Sequence, residues 1–520
     1  MRVARDISSL QFIYPFAFDR ATFGERAETI NRAAWQWRDS ELTVWRKQPF
    51  VVDDLMAQVA RYLNPPPGIE PTLETWHVDE RALASASGLG MQPGNRPSML
   101  RLCALHQAIP FIVDEVRLAV FHTGIGFLTI AAKPESDKPD IWLDFLHSFR
   151  FVRRARQVHV SMARQGSDGQ ELPYFPPPAG GVDRHPDGVG TIDDIIDALL
   201  RTGSLQEESC DWWSDVFVPG RLLPHASLFI DDADESAIPQ FRYRVRHFYH
   251  AKQGGNPSAD DLREDGPGMF EYAERDWFLF SLDGGGFVAF DAPQTPFFRE
   301  NLPQHLRTQY FLILLLALHQ RFVLARLSAE VAENWPTRED SGSSEERMRL
   351  FRRIESSLLS FTARGYFAQI VQREHHHRAY QMWQETFQLG RLYDEVRTEV
   401  DEMHDYLMTL YNEEAERLQR EQKRHAEEQA QEAEQRERAA EERARRLERR
   451  LSVLAIFIGI PALIISFLGI NLAGLTFGGI RLWQALFFVG AGTLIFGGLA
   501  FLVVARDWQS GANRQEGGRK

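Results

Sequence analysis

The C-terminal end of this 520-residue chain constrains its architecture more than any other stretch. Leu451 to Ile480 carries no charged residue, Arg481 interrupts, and Leu482 to Ala505 is uncharged again. A bilayer core of about 30 Å takes roughly 20 apolar helical residues to cross. The two runs therefore predict a transmembrane hairpin, with a first helix at 451–470, an external connection at 471–482 and a second helix at 483–505. Trp483 and Trp508 bracket the second helix as interface anchors do.

The flanks set the expected orientation. Arg443, Arg445, Arg446, Arg449 and Arg450 stand before the first run against the single acid Glu448, and the tail at 506–520 holds Arg506, Arg514, Arg519 and Lys520. Lysine and arginine accumulate on the cytoplasmic side, so both termini are expected there, in a multi-pass protein of the inner (plasma) membrane. The start, Met1-Arg2-Val3-Ala4-Arg5-Asp6, shows no apolar signal-peptide core, which predicts that the N-terminal bulk stays in the cytoplasm. Cys103 and Cys210 are the only cysteines, which implies no disulfide framework. The net charge of −13 argues against nucleic acid as a main partner.

Residues 1–335 read as an α+β cytoplasmic domain, a mixed sheet with helices. Val116–Phe121 and Gly126–Ala131 predict two strands joined by a turn at Gly124. A second hairpin is expected from Trp277–Leu282 and Phe287–Phe290, turning through Asp283-Gly284-Gly285-Gly286; the pair is either an internal echo or two edges of one sheet. Further strands are expected at Gln157–Met162, Ser227–Ile230 and Tyr243–Tyr249, with surface insertions near 166–190 and 254–268. Tyr310–Leu318 is apolar but too short to span a bilayer, and predicts a buried helix. Residues 336–343 read as a turn, and Ser343 with Glu346 as a capping box. Residues 343–450 then read as a helical region whose last part, rich in Glu, Arg, Gln and Ala without proline or glycine, is a long solvated stalk leading into the first span.

Several residue groups carry candidate chemistry. Leu451, Gly459, Ala462 and Ser466 fall within one helical stripe about 80° wide, a spacing for either a narrow pore lining or plain helix packing. Gly469-Ile470-Asn471 sits where the first helix ends, and a ring of Asn carbonyls there would suit a hydrated cation. Asp231, Asp232 and Asp234 would suit a regulatory Mg²⁺ or Ca²⁺ between subunits, or are solvated turn residues; Asp193-Asp194 reads likewise, or as a helix start. His375-His376-His377 cannot share one ion, because adjacent helical side chains diverge by about 100°, so a polar surface helix is expected. Arg242 to His247 reads as a strand with alternating arginines, for an anionic ligand or for acids on a neighbouring strand. The glycines at 284–286 read as a tight turn. No nucleophile–base set, zinc spacing or Walker motif is present, so neither an enzyme nor an organic cofactor is expected.

Taken together, the large N-terminal domain, the charged stalk, the Gly-Ile-Asn after the first of two C-terminal spans and the basic tail resemble the CorA-type divalent cation transporter superfamily, over roughly residues 390–510. The resemblance implies a homopentamer in the lipid bilayer, an entrance filter at Gly469, Ile470 and Asn471 with Leu451 near the cytoplasmic end of the pore, and transport of Mg²⁺ or a transition metal. Ile470 replaces the family's Met, and the connection 472–482 lacks the acidic residues common there. Some CorA-like proteins are effectors in type III CRISPR defence opened by a nucleotide second messenger, which makes a nucleotide ligand at the cytoplasmic domain a second expectation. A non-conducting membrane scaffold is the third.

Overall fold

A computed structural model describes residues 1–37, 40–50, 54–66, 71–79, 99–152, 158–165, 171–173, 187–201, 220–252, 257–266, 268–334 and 344–472, with scattered positions from 487 to 506. From the N-terminus the elements are β1 (Arg2–Val3), β2 (Ser9–Ala17), α1 (Phe23–Arg32), β3 (Ala34–Trp37), β4 (Ser40–Thr43), β5 (Trp45–Lys47), α2 (Ala57–Leu63) and β6 (Leu73–Val78). Next come β7 (Met99–Ala104), β8 (Gln107–Phe121), β9 (Ile125–Pro134), α3 (Pro139–Phe149), β10 (His159–Gln165), β11 (Glu171–Pro173), β12 (Val189–Gly190) and α4 (Ile192–Arg201). They are followed by β13 (Leu223–Asp231), α5 (Ile238–His247), α6 (Ala259–Leu262), β14 (Met269–Ala273), β15 (Asp276–Ser281) and β16 (Gly284–Phe290). The later described elements are helices: α7 (Leu302–Arg307), α8 (Gln309–Glu333), α9 (Ser344–Arg364), α10 (Glu374–Thr386) and α11 (Leu389–Leu472).

One sheet organises the N-terminal unit, in the order β11-β10-β7-β8-β9-β2-β13-β16-β15-β14. Its described pairings are antiparallel except β13 with β16, so the sheet is mixed, as expected. Both anticipated hairpins, β8–β9 and β15–β16, lie in this sheet with β2 and β13 between them. Central strands bury both faces, and successive side chains enter different cores. Leu228 packs with α3 and α5, and its neighbour Phe229 packs with α8 and α10. The result is helix, sheet and helix in three layers.

The second core explains the apolar run near residue 310. α8 is buried along most of its length, through the polar residues His319, Gln320 and Arg321. Each of these polar groups is engaged: His319 stacks on Phe121 at 3.9 Å, and Gln320 donates to the Gly365 carbonyl at 2.9 Å. Among the described residues, the helical stretch long and apolar enough to cross a membrane is Phe297–Glu333, and it lies mostly inside this core.

Three local expectations change. Residues 243–249 are not a strand: α5 is a helix with Pro239 in its first turn, closed by Phe248 in the left-handed conformation (φ 55°). A six-residue alternation of arginines cannot distinguish the two periods, and the buried set Ile238, Phe241, Arg242 and Val245 follows the helical one. The turn of the second hairpin is only Leu282-Asp283, and Gly284 to Gly286 belong to β16. A Cβ on Gly286 would lie 2.2 Å from the Ala226 carbonyl oxygen on the parallel neighbour β13, so the glycines permit close strand approach rather than a turn. The expected insertions hold regular elements among the described residues: β12 pairs with β10, and α6 carries a capping box from Ser258 and Asp261. Residues 336–343, Ser343 included, lie outside the described residues.

The chain divides into two compact units, Met1–Leu410 and Tyr411–Lys520, with the boundary inside α11. α11 begins at Leu389, buried in the second core, and continues as one helix to Leu472. The anticipated stalk is thus a single helix. Its exposed surface carries i,i+4 ion pairs such as Arg420–Glu416 at 2.9 Å and Arg436–Glu432 at 3.1 Å.

Candidate functional site

The C-terminal end of α11 contains the residues expected to line and gate a pore. Leu451, Leu454, Ile456, Ile458 and Leu463 are 57–72% exposed, and they point to several sides of the helix rather than to one stripe. A helix apolar all round needs an apolar medium or partner helices. Leu451, Ala462 and Ser466 are exposed, and Gly459 is half-exposed with open space where a Cβ would stand. The backbone of Gly469, Ile470 and Asn471 forms the last turn of α11. Their side chains, the connection and most of the second run lie outside the described residues, although Phe487, Ile495, Leu499 and Leu502 are exposed in the same way.

The acidic run near 231 is dispersed among separate partners. Asp231 accepts from Arg299 at 3.1 Å, Asp232 lies 3.9 Å from Arg2, and Asp234 accepts from the backbone and hydroxyl of Ser236 ahead of α5. Three carboxylates so engaged do not form one cation site. Asp194 closes a cap with Thr191 at the start of α4, in keeping with a helix start. Among the described residues, no group of three or more histidine, cysteine or carboxylate side chains is arranged to hold a metal. The histidine run is not a purely polar surface. α10 turns His376, Ala379, Tyr380 and Trp383 inward, and the His376 Nδ1 pairs with Asp54 while its ring meets Tyr310 edge-on at 4.6 Å. Burial lowers the His376 pKa in spite of Asp54.

The basic run after residue 240 does build a site, though by a different geometry. In α5, Arg242 points into the core and lies over the Trp277 ring at 4.2 Å. One turn later, Arg246 and His247 reach a cleft of about 850 Å³. The end of α3 supplies His147 and Arg150 to the same cleft, the β15–β16 turn supplies Asp283, and the last residue of α10, Thr386, closes one side. Arg221 joins through the bridge between Phe151 and Arg221.

Electrostatics in the cleft are one-sided. Among the described lining residues, Arg150, Arg221 and Arg246 face a single carboxylate, Asp283. Asp283 is shared, 3.4 Å from Arg150 and 3.6 Å from Arg221. The Arg150 guanidinium is desolvated on Phe151 and Phe248, at 5.1 and 5.5 Å, which lowers its pKa to about 10 and leaves it charged at neutral pH. The left-handed Phe248 aims its carbonyl at His147, whose Nδ1 donates to it at 2.8 Å. That bond assigns the proton to Nδ1 and leaves Nε2 as an acceptor. Burial holds the His147 pKa down to about 4, so the ring is neutral at pH 7. His247 is likewise lowered by burial and by Arg246, and its Nε2 has no hydrogen-bond partner among the described residues. Sequence reasoning singled out Arg246 and His247 but missed His147, Arg150, Arg221, Tyr249 and His250; the basic–aromatic alternation of Arg242 to His250 was the one available signal.

Comparison with protein-family models, with curated proteins and with solved structures finds no match for this chain.

Proposed function

We propose that this chain is a membrane channel of the CorA type, a homopentamer of the inner membrane with both termini in the cytoplasm, passing Mg²⁺ or a transition-metal cation. The observation that carries this reading is α11. One helix begins at Leu389 in the core of the α+β unit, leaves it after Leu407, passes through a fully exposed charged stretch and ends just past Gly469-Ile470-Asn471, with apolar residues exposed on several sides over its last turns. In this reading Asn471 holds the partly hydrated cation at the outer mouth, while Leu451, Gly459, Ala462 and Ser466 line a narrow and largely dry passage. The α+β unit senses and α11 transmits.

The test is flux of Mg²⁺, Zn²⁺ and Co²⁺ into proteoliposomes, comparing wild type with Asn471→Ala. A change of rate or ion preference in the variant supports the filter. Flux indifferent to Asn471 refutes it, and a non-pentameric protein that conducts nothing under any condition is a scaffold.

One observation favours a second reading in which the same channel opens only on a nucleotide signal. The arginine-rich cleft lies in the α+β unit, and its wall reaches Thr386, three residues before α11 begins. A channel of this kind is silent in liposomes until the ligand is added.

A further inference from the structure

We propose that the cleft between the ends of α3 and α5 and the β15–β16 turn binds a small organic molecule carrying a phosphate or pyrophosphate group, and that its occupancy is felt where α10 gives way to α11.

The argument begins with charge. The chain as a whole carries a formal −13, yet among the described lining residues three arginines meet one carboxylate. Asp283 cannot saturate both Arg150 and Arg221, and Arg246, which also feels the charge of Asp261, donates its Nε to the Phe280 carbonyl at 3.1 Å. Nε of Arg150 is buried without a partner among the described residues. Planar guanidinium forks held on aromatic rings match phosphate oxygens in geometry as well as in sign.

Size identifies the rest of the ligand. About 850 Å³ lies within the usual range for small-molecule sites and far exceeds a bare phosphate. A second cleft of about 1440 Å³ adjoins it, sharing His147, Phe151 and His250. Tyr249 supplies a ring face for an organic body, and the His147 Nε2 supplies an acceptor for a hydroxyl or amino group. The two clefts together therefore suit an anion with an aromatic or sugar-like portion better than an inorganic ion.

Coupling follows from the wall. Arg321 donates to the carbonyl oxygen of Leu282, in the same turn as Asp283, and lies over Phe387, the residue after Thr386. An anion that draws Arg150 or Arg221 away from Asp283 alters the field at Arg321 and shifts the turn to which α10 is tied.

The inference deepens the ligand-opened reading, on which its coupling rests, but binding is read without flux, so a silent channel with a working cleft separates the failure of one from the failure of the other. The experiment is isothermal titration of the full chain in detergent with sodium pyrophosphate and with adenosine monophosphate. The expected result is saturable binding that weakens about tenfold or more in both Arg221→Ala and Arg246→Gln. Arg417→Ala, on the exposed part of α11, should bind as wild type, and thermal unfolding confirms that each variant is folded. Tighter binding of the monophosphate than of pyrophosphate identifies a nucleotide-like ligand, and the reverse order identifies a polyphosphate end as the recognised group. No saturation by either at about 10 mM, or equal weakening by Arg417→Ala, overturns the site. Hydrogen exchange at residues 384–392 should slow on binding in wild type and not in Arg321→Met; unchanged exchange in wild type overturns the coupling.

Discussion

Arg321 lies over the ring of Phe387, 4.9 Å from its centroid, while its Nη1 donates to the Leu282 carbonyl oxygen at 3.0 Å. One buried side chain of α8 thereby ties the hairpin turn beside the cleft to the corner where α10 ends and α11 begins. Burial lowers its pKa to about 10, with Asp283 opposing, so the guanidinium remains charged under ordinary conditions. Replacing it by methionine keeps the stem but leaves the Leu282 carbonyl without this donor and removes the contact with the ring. A carbonyl bond to a charged donor together with a desolvated cation–π contact predicts a loss of about 2 kcal/mol. Thermal unfolding of Arg321→Met against wild type checks it, and an unchanged midpoint rejects the tie.

A second consequence concerns pH. Asp276 opens β15 almost fully buried, and neither carboxylate oxygen has a hydrogen-bond partner among the described residues. Burial, with Glu271 adding repulsion, raises its pKa from 3.8 to about 7. The folded state therefore holds a proton that the unfolded chain has released throughout that interval. Stability is greatest, as far as this group is concerned, below pH 4, and it falls as pH rises to about 7. The full interval corresponds to about 4 kcal/mol. Asp276→Asn should flatten the dependence of the unfolding midpoint between pH 5 and pH 8, and stabilise the protein most at pH 8. A slope as steep in the variant as in wild type assigns the effect elsewhere.

The glycines of β16 yield a contrast between two substitutions of the same kind. Gly286→Ala places a methyl group 2.2 Å from the Ala226 carbonyl oxygen, inside a strand pair with no room to part. Overpacking of this sort costs about 3 kcal/mol. Gly390→Ala, near the start of α11, meets nothing within 4 Å and gains helix propensity, so it should leave stability unchanged or raise it by up to about 1 kcal/mol. Parallel unfolding of the two variants decides whether the glycines of β16 are there for strand approach.

Much of the architecture was legible because it rests on long periodic signals. The β8–β9 hairpin, the buried α8 and the uninterrupted α11 each follow from runs in which period or composition is sustained. Short segments were not legible. Arg242 to His247 alternates like a strand, and only Pro239 at the helix start and the left-handed Phe248 at its end settle the matter. The glycines at 284–286 look like a turn because the partner that requires them, Ala226 on β13, is about 60 residues away. For the same reason the cleft could not be read from the chain. Arg150, Arg221, Arg246 and Asp283 come from four separate segments, and the fold alone makes them neighbours.

The exposed middle of α11 separates charge from continuity. Its ion pairs, Arg436 with Glu432 and Arg446 with Glu442 among them, are solvated on every side. Such pairs contribute little, so Glu432→Gln and Glu442→Gln should leave both unfolding and flux near wild type. Helical continuity is another matter. Ala430→Pro removes a backbone donor and drives its ring against the preceding turn, at a cost of about 3 kcal/mol to the helix. The core of the N-terminal unit ends before this point, with Leu407 among its last buried residues. Pyrophosphate binding in the cleft should therefore survive Ala430→Pro, whereas the response of cation flux to the ligand should be lost. If α11 transmits nothing, the proline variant conducts and responds as wild type does, and titration and flux on the same preparation tell the two outcomes apart.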